Sequence, residues 1–126
     1  MRYLLDSTFL IDYLRGDRTA RARFRRLFED GDEPVVNEIV VCEVATGAAG
    51  HPDPDLVALL EPIEFVQPGA VAPLLAGQWR GDARRRGHQL SLADALIAVA
   101  AHGADAAVLT RNVRDFAHLP VQVETY

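Results

Sequence analysis

Four acidic residues in this sequence occupy positions where solubility does not account for a charge. Each follows or interrupts an apolar run, and they are Asp6, Glu43, Asp94 and Asp115. Two carboxylates about 5 Å apart repel each other by roughly 3 kcal/mol at an effective dielectric constant of about 20. Several such pairs would remove a large share of a typical folding stability of about 5–15 kcal/mol. A divalent cation cancels that repulsion, so acids that meet in the fold predict a metal site.

The donor atoms indicate which metal such a site would hold. Carboxylate oxygens favour hard cations, so the sequence predicts Mg²⁺ or Mn²⁺. Zinc does not suit these donors, because Cys42 is the only cysteine and the four histidines are scattered. No protein nucleophile is evident: Ser7 and Thr8 lie beside Asp6, but no histidine is placed to activate them. Capping of the first helix is the role expected for these two hydroxyls.

Local helix capping is an alternative explanation for two of the acids. Ser91 with Asp94 three residues later matches a capping box, and an acid in the first turn also suits the helix dipole. Asn112 and Asp115 have the same spacing. Glu43 falls in the second turn of its helix, where capping explains it less well. Both explanations therefore stay open for Asp94 and Asp115.

Strands and helices alternate along the chain, which would bring these acids to one edge of a sheet. The predicted strands are 3–5, 34–36, 63–66, 106–109 and 121–124. The predicted helices are 8–14, 19–30, 38–49, 55–60, 68–86, 91–102 and 112–116, with a linker at 51–54. This order predicts an α/β fold, a three-layer α/β/α sandwich around a central parallel sheet. Strand ends and helix starts share one rim in such a sheet, and ligands bind there.

Two of the predicted helices should be buried around their acids. Between Ser91 and Ala101 every residue except Asp94 is apolar, which predicts a helix buried on all sides. Glu43 likewise interrupts an apolar stretch. Burying a lone carboxylate is costly unless something pairs with it, so both positions favour a shared site.

Length and composition limit the kind of protein. The 126 residues, 49% of them hydrophobic, predict one domain spanning 1–126. No apolar run is long enough for a bilayer, and acids interrupt the apolar residues near the start, unlike in a signal peptide. A single cysteine gives no reason to expect export, so the cytoplasm is the expected location. The net charge of −5 argues against attraction of nucleic acid by bulk charge.

Every basic residue is an arginine, and the chain has no lysine. Codon usage is one explanation; recognition of phosphate by planar, bidentate guanidinium groups is the other. Arg80, Arg84, Arg85 and Arg86 end one predicted helix, either as phosphate ligands or as a solvated face favoured by the helix dipole. Near the rim, Thr110 is expected to contact substrate or to act as a cap, and Arg111 to contact substrate or lie in solvent.

In their order and spacing, these motifs resemble the PIN-domain nucleases, and within them the VapC-type toxins of bacterial toxin–antitoxin pairs. The matching stretches are 4–8, 11–14, 84–87, 92–98 and 110–116, together with Glu43 and Gly47. The resemblance implies a metal-dependent endoribonuclease that uses Mg²⁺ or Mn²⁺ and is held in check by a small VapB-type antitoxin. It also implies a homodimer, for which apolar residues on the second and fifth helices are candidates.

The resemblance assigns roles to individual residues. Asp6 and Asp94 would be metal ligands and Glu43 the third acid, while either Asn112 or Asp115 would take the fourth position. Candidates for substrate binding are Thr110, Arg111, Asn112 and Arg85. One departure is Val40, where relatives often have a threonine, which removes a hydroxyl contact without abolishing metal binding.

Three other functions are alternatives to this one. A phosphoacceptor receiver domain would need a lysine after a late strand, and this chain has none. A haloacid-dehalogenase-like phosphatase would need a second aspartate where Thr8 stands. A PIN-like module that binds RNA or a protein partner without cutting stays open, because the same residues would be present in it.

Overall fold

A parallel sheet forms the centre of the fold. The computed structural model describes residues 1–47 and 53–126. Within these residues the strands are β1 (Arg2–Leu5), β2 (Glu33–Val36), β3 (Glu64–Phe65), β4 (Ala106–Leu109) and β5 (Val123–Glu124). Their order is β3-β2-β1-β4-β5, and every neighbouring pair runs parallel. The predicted parallel sheet is confirmed.

Helices flank this sheet. They are α1 (Ser7–Leu14), α2 (Arg18–Glu29), α3 (Glu38–Ala45), α4 (Pro54–Leu60), α5 (Val71–Arg85), α6 (Leu92–Gly103) and α7 (Val113–Phe116). Alternation of strand and helix along the chain produces this arrangement, because each parallel pair of strands needs a crossover between them. None of the described helices has the length and hydrophobicity to span a membrane.

The two central strands are the most buried part of the sheet. Leu4 and Leu5 of β1 are fully buried, and so are Val108 and Leu109 of β4, because helices cover both faces. The register pairs Leu5 with Leu109. Asp6 and Thr110, the next residue of each strand, therefore emerge side by side at the carboxyl edge.

Several helix ends differ from the prediction. The helix predicted for 68–86 begins only at Val71. The helix predicted for 38–49 ends at Ala45, and the rest of that prediction, from residue 48 onwards, lies outside the described residues. The predicted linker 51–54 is wrong at its second half. Asp53 caps α4 by accepting a hydrogen bond from the Asp55 amide, and Pro54 opens the helix. Proline suits this position because its missing N–H has no helical partner there.

The burial predicted for the two acid-bearing helices is wrong at their exposed sides. Leu92 is 59% exposed, and continuous burial of α6 begins only at Ile97. In α3 only Val40 is fully buried, and Glu43 is exposed. The acids thus stand at the surface end of otherwise apolar helices, which is where a ligand can reach them.

Candidate active site

Asp6 is held at the end of β1 by two hydroxyl groups. Its side chain is only 3% exposed. Thr110 donates a hydrogen bond to Asp6 Oδ2 at 2.7 Å, and Thr8 donates to the same oxygen at 3.1 Å. Hydrogen bonds of this kind compensate the cost of burying a carboxylate. No described residue donates to Oδ1, so this oxygen keeps its lone pairs for a ligand.

Backbone amides after β4 fix the two hydroxyls in turn. The Arg111 amide donates to Thr8 Oγ1 at 3.1 Å, and the Asn112 amide donates to Thr110 Oγ1 at 2.9 Å. Each hydroxyl therefore accepts from the backbone and directs its own proton to Asp6. Thr110 is fully buried, so it positions Asp6, and direct contact with a substrate is not what its geometry supports.

The capping expected of Ser7 and Thr8 is wrong. Asp6 itself is the N-cap of α1, and no side chain caps that helix. The Thr8 hydroxyl is already committed to Asp6 on one side and to the Arg111 amide on the other. A signal for this role was available, because Thr8 lies two residues after an acid at a strand end.

Asp94 lies at the start of α6 with its carboxylate outside the helix cap. Ser91 Oγ accepts a hydrogen bond from the Asp94 amide at 3.0 Å, so Ser91 alone provides the cap. Asp94 and Asp115 line a cleft of about 530 Å³. Asn112 begins α7 without a side-chain cap. Local capping therefore does not account for Asp115, whereas Asp94 keeps a local contact with the cap residue Ser91.

Three of the predicted acids contribute to a raised pKa at the fourth, Asp94. Burial is the main reason that the pKa of Asp94 rises to about 6. The Ser91 hydroxyl lowers it in part, and the negative charges of Asp115, Asp6 and Glu43 raise it further. The fold has thus brought residues from four separate elements to one rim.

Glu43 reaches this rim from α3. Partial burial raises the pKa of its carboxyl group, the nearby Ser7 hydroxyl lowers it, and the charge of Asp6 raises it again. Although the residue is exposed, it senses Asp6, which is almost completely buried. Glu43 therefore lies on the open side of the acidic rim.

Asn37 joins the two acid-bearing helices and was missed by the sequence analysis. It is 4% exposed and caps α3, where its Oδ1 accepts a hydrogen bond from the Val40 amide at 3.1 Å. Its Nδ2 donates to the Leu96 carbonyl of α6 at 3.4 Å. An asparagine between a strand and a helix is a common cap signal, but its second bond depends on tertiary packing.

The donor set suits a hard cation in its chemistry. Asp6, Glu43, Asp94 and Asp115 offer only carboxylate oxygens, the ligands that Mg²⁺ and Mn²⁺ prefer. Their mutual repulsion, seen at Asp94 and Glu43, is what a bound cation would relieve. In the conformation of the described residues, no three His, Cys, Asp or Glu side chains form a group that could hold an ion. The acids share a neighbourhood without being drawn to ligating distance.

A second network of hydrogen bonds, centred on Asp12, supports the rim. Arg111 donates to Asp12 Oδ1 at 2.6 Å, and the Tyr126 hydroxyl donates to Asp12 Oδ2 at 2.6 Å. Burial, and then the bond to Asp12, raises the pKa of Tyr126. Asp12 and Tyr126 were not predicted as site residues. The available signal was an acid within the apolar spacing of the first helix.

The arginines that line the cleft do not include Arg85, which was predicted to bind substrate. Arg80 and Arg84 line the cleft that contains Asp94 and Asp115. Arg85 instead pairs with Asp82 on the exposed side of α5. Residues four apart share one face of a helix, so Arg80 and Arg84 face together while Arg85 is turned away from them.

The fold has a known counterpart. The family model described as PIN domain matches residues 3–121, and the chain belongs to the PIN domain family. It is 28% identical over 117 residues to Ribonuclease VapC19 of Mycobacterium tuberculosis, covering 93% of this chain and 94% of that protein.

Solved structures agree on the fold. VapBC2 from Rickettsia felis, bound to a promoter DNA fragment, aligns with a TM-score of 0.86 at 20% identity and covers 100% of this chain and 99% of that one. VapBC-1 from nontypeable Haemophilus influenzae gives 0.82 at 23% identity, covering 99% and 98%. A toxin–antitoxin complex from Klebsiella pneumoniae gives 0.71 at 27% identity, covering 98% and 96%.

The raised pKa of Asp94 predicts how stability depends on pH without metal. The folded protein holds this proton up to about pH 6, whereas the ordinary value is 3.8. Between these values the folded state binds more protons than the unfolded state, so stability falls as pH rises, by on the order of 1–2 kcal/mol because solvent screens this half-buried carboxyl group. Urea unfolding in chelator from pH 4 to pH 7 measures this loss. Asp94→Asn should flatten the slope and Asp30→Asn should keep it; equal slopes in both variants would contradict the assignment.

Removing the Tyr126 hydroxyl tests the supporting network. Tyr126→Phe deletes a hydrogen bond to the buried Asp12 carboxylate, and the expected loss is about 1.5–3 kcal/mol of unfolding free energy. Tyr13→Phe is the matched control, because no described residue bonds to the Tyr13 hydroxyl. Urea unfolding at pH 7 compares the two, and similar losses would show that the Asp12 contact contributes little.

Proposed function

We propose that this protein is a metal-dependent endoribonuclease and the toxin of a VapBC-type toxin–antitoxin pair. The observation that carries the proposal is a PIN domain with the buried Asp6 at the carboxyl end of β1 and with Asp94 and Asp115 in one cleft. A ribonuclease among its relatives and VapBC complexes among its structural neighbours support the same conclusion.

Asp6, Glu43, Asp94 and Asp115 would hold the cation, Mg²⁺ or Mn²⁺. When bound, such an ion supplies an activated water and offsets the charge that develops on the phosphate oxygens. Thr8 and Thr110 both donate to Oδ2 of Asp6, which leaves Oδ1 available to the cation. Asp115 is the better candidate for the fourth acid than Asn112, because its charge reaches Asp94 and it lines the same cleft.

Arginine side chains would hold the RNA backbone against this acidic centre. Arg80 and Arg84 lie on the wall of the cleft and suit phosphate oxygens. Arg111 uses one nitrogen for Asp12, and its side chain remains 54% exposed, so its other N–H groups and the exposed Asn112 can contact substrate. Arg85 is assigned only a peripheral contact, because Asp82 already pairs with it.

The proposed partners follow from the same assignment. The cognate partner is a VapB-type antitoxin, by analogy with the VapBC complexes, and the single PIN domain would act on cytoplasmic RNA. A homodimer would use the exposed apolar side chains of α2 and α5, namely Phe28, Val71 and Leu74.

The second candidate function is a module that binds RNA or a protein partner without cutting. It is favoured by one observation: no three acidic side chains in the described residues are arranged to hold an ion together. The two functions differ in a single outcome, the appearance of cut RNA when a divalent cation is added.

Cleavage of total RNA with Mg²⁺ or Mn²⁺ is the decisive assay. Cutting should occur with either ion, stop with chelator, and fall to background in Asp6→Asn and Asp94→Asn, because each loses a charged ligand while keeping its shape. Asp30→Asn, an exposed acid on the end of α2, should cut normally. Mapping the cut sites gives the preferred sequence. RNA binding without any cutting by the unmodified protein would establish the binding module instead.

The role of Thr110 can be separated from metal binding itself. Thr110→Val keeps the shape of the side chain but removes the proton that is donated to Asp6. The cleavage rate or the affinity for Mn²⁺ should fall about ten- to a hundredfold, as for other groups that orient a metal ligand. Thr19→Val, an exposed change on α2, serves as the control. An unchanged rate and affinity in Thr110→Val would show that Asp6 needs no such support.

A further inference from the structure

A second hollow adjoins the acidic cleft and has no role in the function described so far. It encloses about 430 Å³, within the size range of ligand sites. Its wall includes Trp79, Arg86, His88, His118, Leu119 and Pro120. His88 also lines the cleft that contains Asp94 and Asp115, so the two spaces share a wall. We call this second space the histidine hollow.

Two stacked imidazole rings mark the histidine hollow. The rings of His88 and His118 lie 4.3 Å apart at an angle of 15°, and both residues are exposed. Gly87, with φ of 79°, turns the chain after α5 so that the His88 amide bonds back to the Ala83 carbonyl. The buried Phe116 anchors the other side, two residues before His118.

The charges around the hollow favour an anionic polymer. Arg86 lies on its wall, and Arg80 and Arg84 lie on the wall of the adjoining cleft. The one acid of the hollow, Asp82, is paired with Arg85. Flat rings beside guanidinium groups are the combination that binds single-stranded nucleic acid, in which bases stack and phosphates pair.

We propose that the histidine hollow binds an unpaired nucleobase of the RNA substrate whose backbone passes Arg80 and Arg84 to reach the acids. The proposal rests on the ribonuclease function proposed above and adds a specificity site to it. An unpaired base has free faces for stacking, whereas a base within a duplex is already stacked on its neighbours. The hollow would therefore select single-stranded RNA.

Binding of labelled hexa-adenylate RNA, followed by fluorescence anisotropy, tests the site without relying on cleavage. All proteins carry Asp94→Asn and are measured with Mg²⁺, so that the RNA stays intact. Stacking on an aromatic ring is worth enough that His88→Ala and His118→Ala should each weaken binding about five- to a hundredfold. His102→Ala is the matched control, since His102 contacts Trp79 edge-on at 5.5 Å but lines neither space.

Two further probes identify what occupies the hollow. A hexamer of the same backbone without bases should bind weakly, and equally, to the parent protein and to His118→Ala. An RNA duplex should likewise not respond to His118→Ala. The proposal is overturned if the baseless hexamer binds as tightly as hexa-adenylate, or if His118→Ala binds hexa-adenylate as tightly as His102→Ala does. It is also overturned if the Asp94→Asn parent binds neither hexa-adenylate nor the duplex.

Failure of this site is distinguishable from failure of the proposed function. If the unmodified protein cuts RNA and the histidine variants bind RNA normally, the hollow is not a base-binding site but the nuclease function stands. If binding depends on the histidines but the unmodified protein does not cut RNA, the hollow is a base-binding site and the protein is a binding module.

Discussion

Repulsion among carboxylates at the end of a parallel sheet is the constraint on which this structure depends. Parallel strands place their carboxyl ends at one edge, and Asp6 emerges there almost completely buried. Two threonine hydroxyls compensate its burial. The Asp94 carboxylate has no such pair of donors, and its raised pKa records the remaining cost. The site is therefore built under electrostatic strain that an added cation would relieve.

The rest of the fold keeps these acids near one another despite that strain. Asn37 links α3 to α6, so the helices that carry Glu43 and Asp94 cannot move apart independently. Arg111 connects the segment after β4 to α1 twice, through its amide to Thr8 and through its guanidinium to Asp12. These contacts are polar and specific, whereas the apolar core beneath them fixes only the approximate position of each element.

Much of the architecture could be predicted from the sequence because its cause is local. The apolar run 106–109 became β4 without change, and the four acids were identified because each was out of place in an apolar context. The exposed first turn of α6 was not predictable, since its exposure depends on which other elements cover it in the fold.

There are also physical reasons why parts of the site were not predicted from the sequence. The Asp6–Thr110 bond requires the β1–β4 register, which pairs residues that are distant in sequence. Tyr126 could not be connected with Asp12 for the same reason. By contrast, a local signal could have separated Arg80 and Arg84 from Arg85 among the four arginines considered for phosphate binding, because the four-residue spacing places the first two on one helix face.

The separation of bonded partners along the chain has a consequence for synthesis. The bonds Thr110–Asp6, Arg111–Asp12 and Tyr126–Asp12 join residues 104, 99 and 114 positions apart. A nascent polypeptide that has left the ribosome only as far as α5 lacks every one of them, and contacts this distant form late in folding. The emerging chain would therefore lack Asp94, Asp115 and the contacts that hold Asp6 and Asp12 until translation of this region is almost finished.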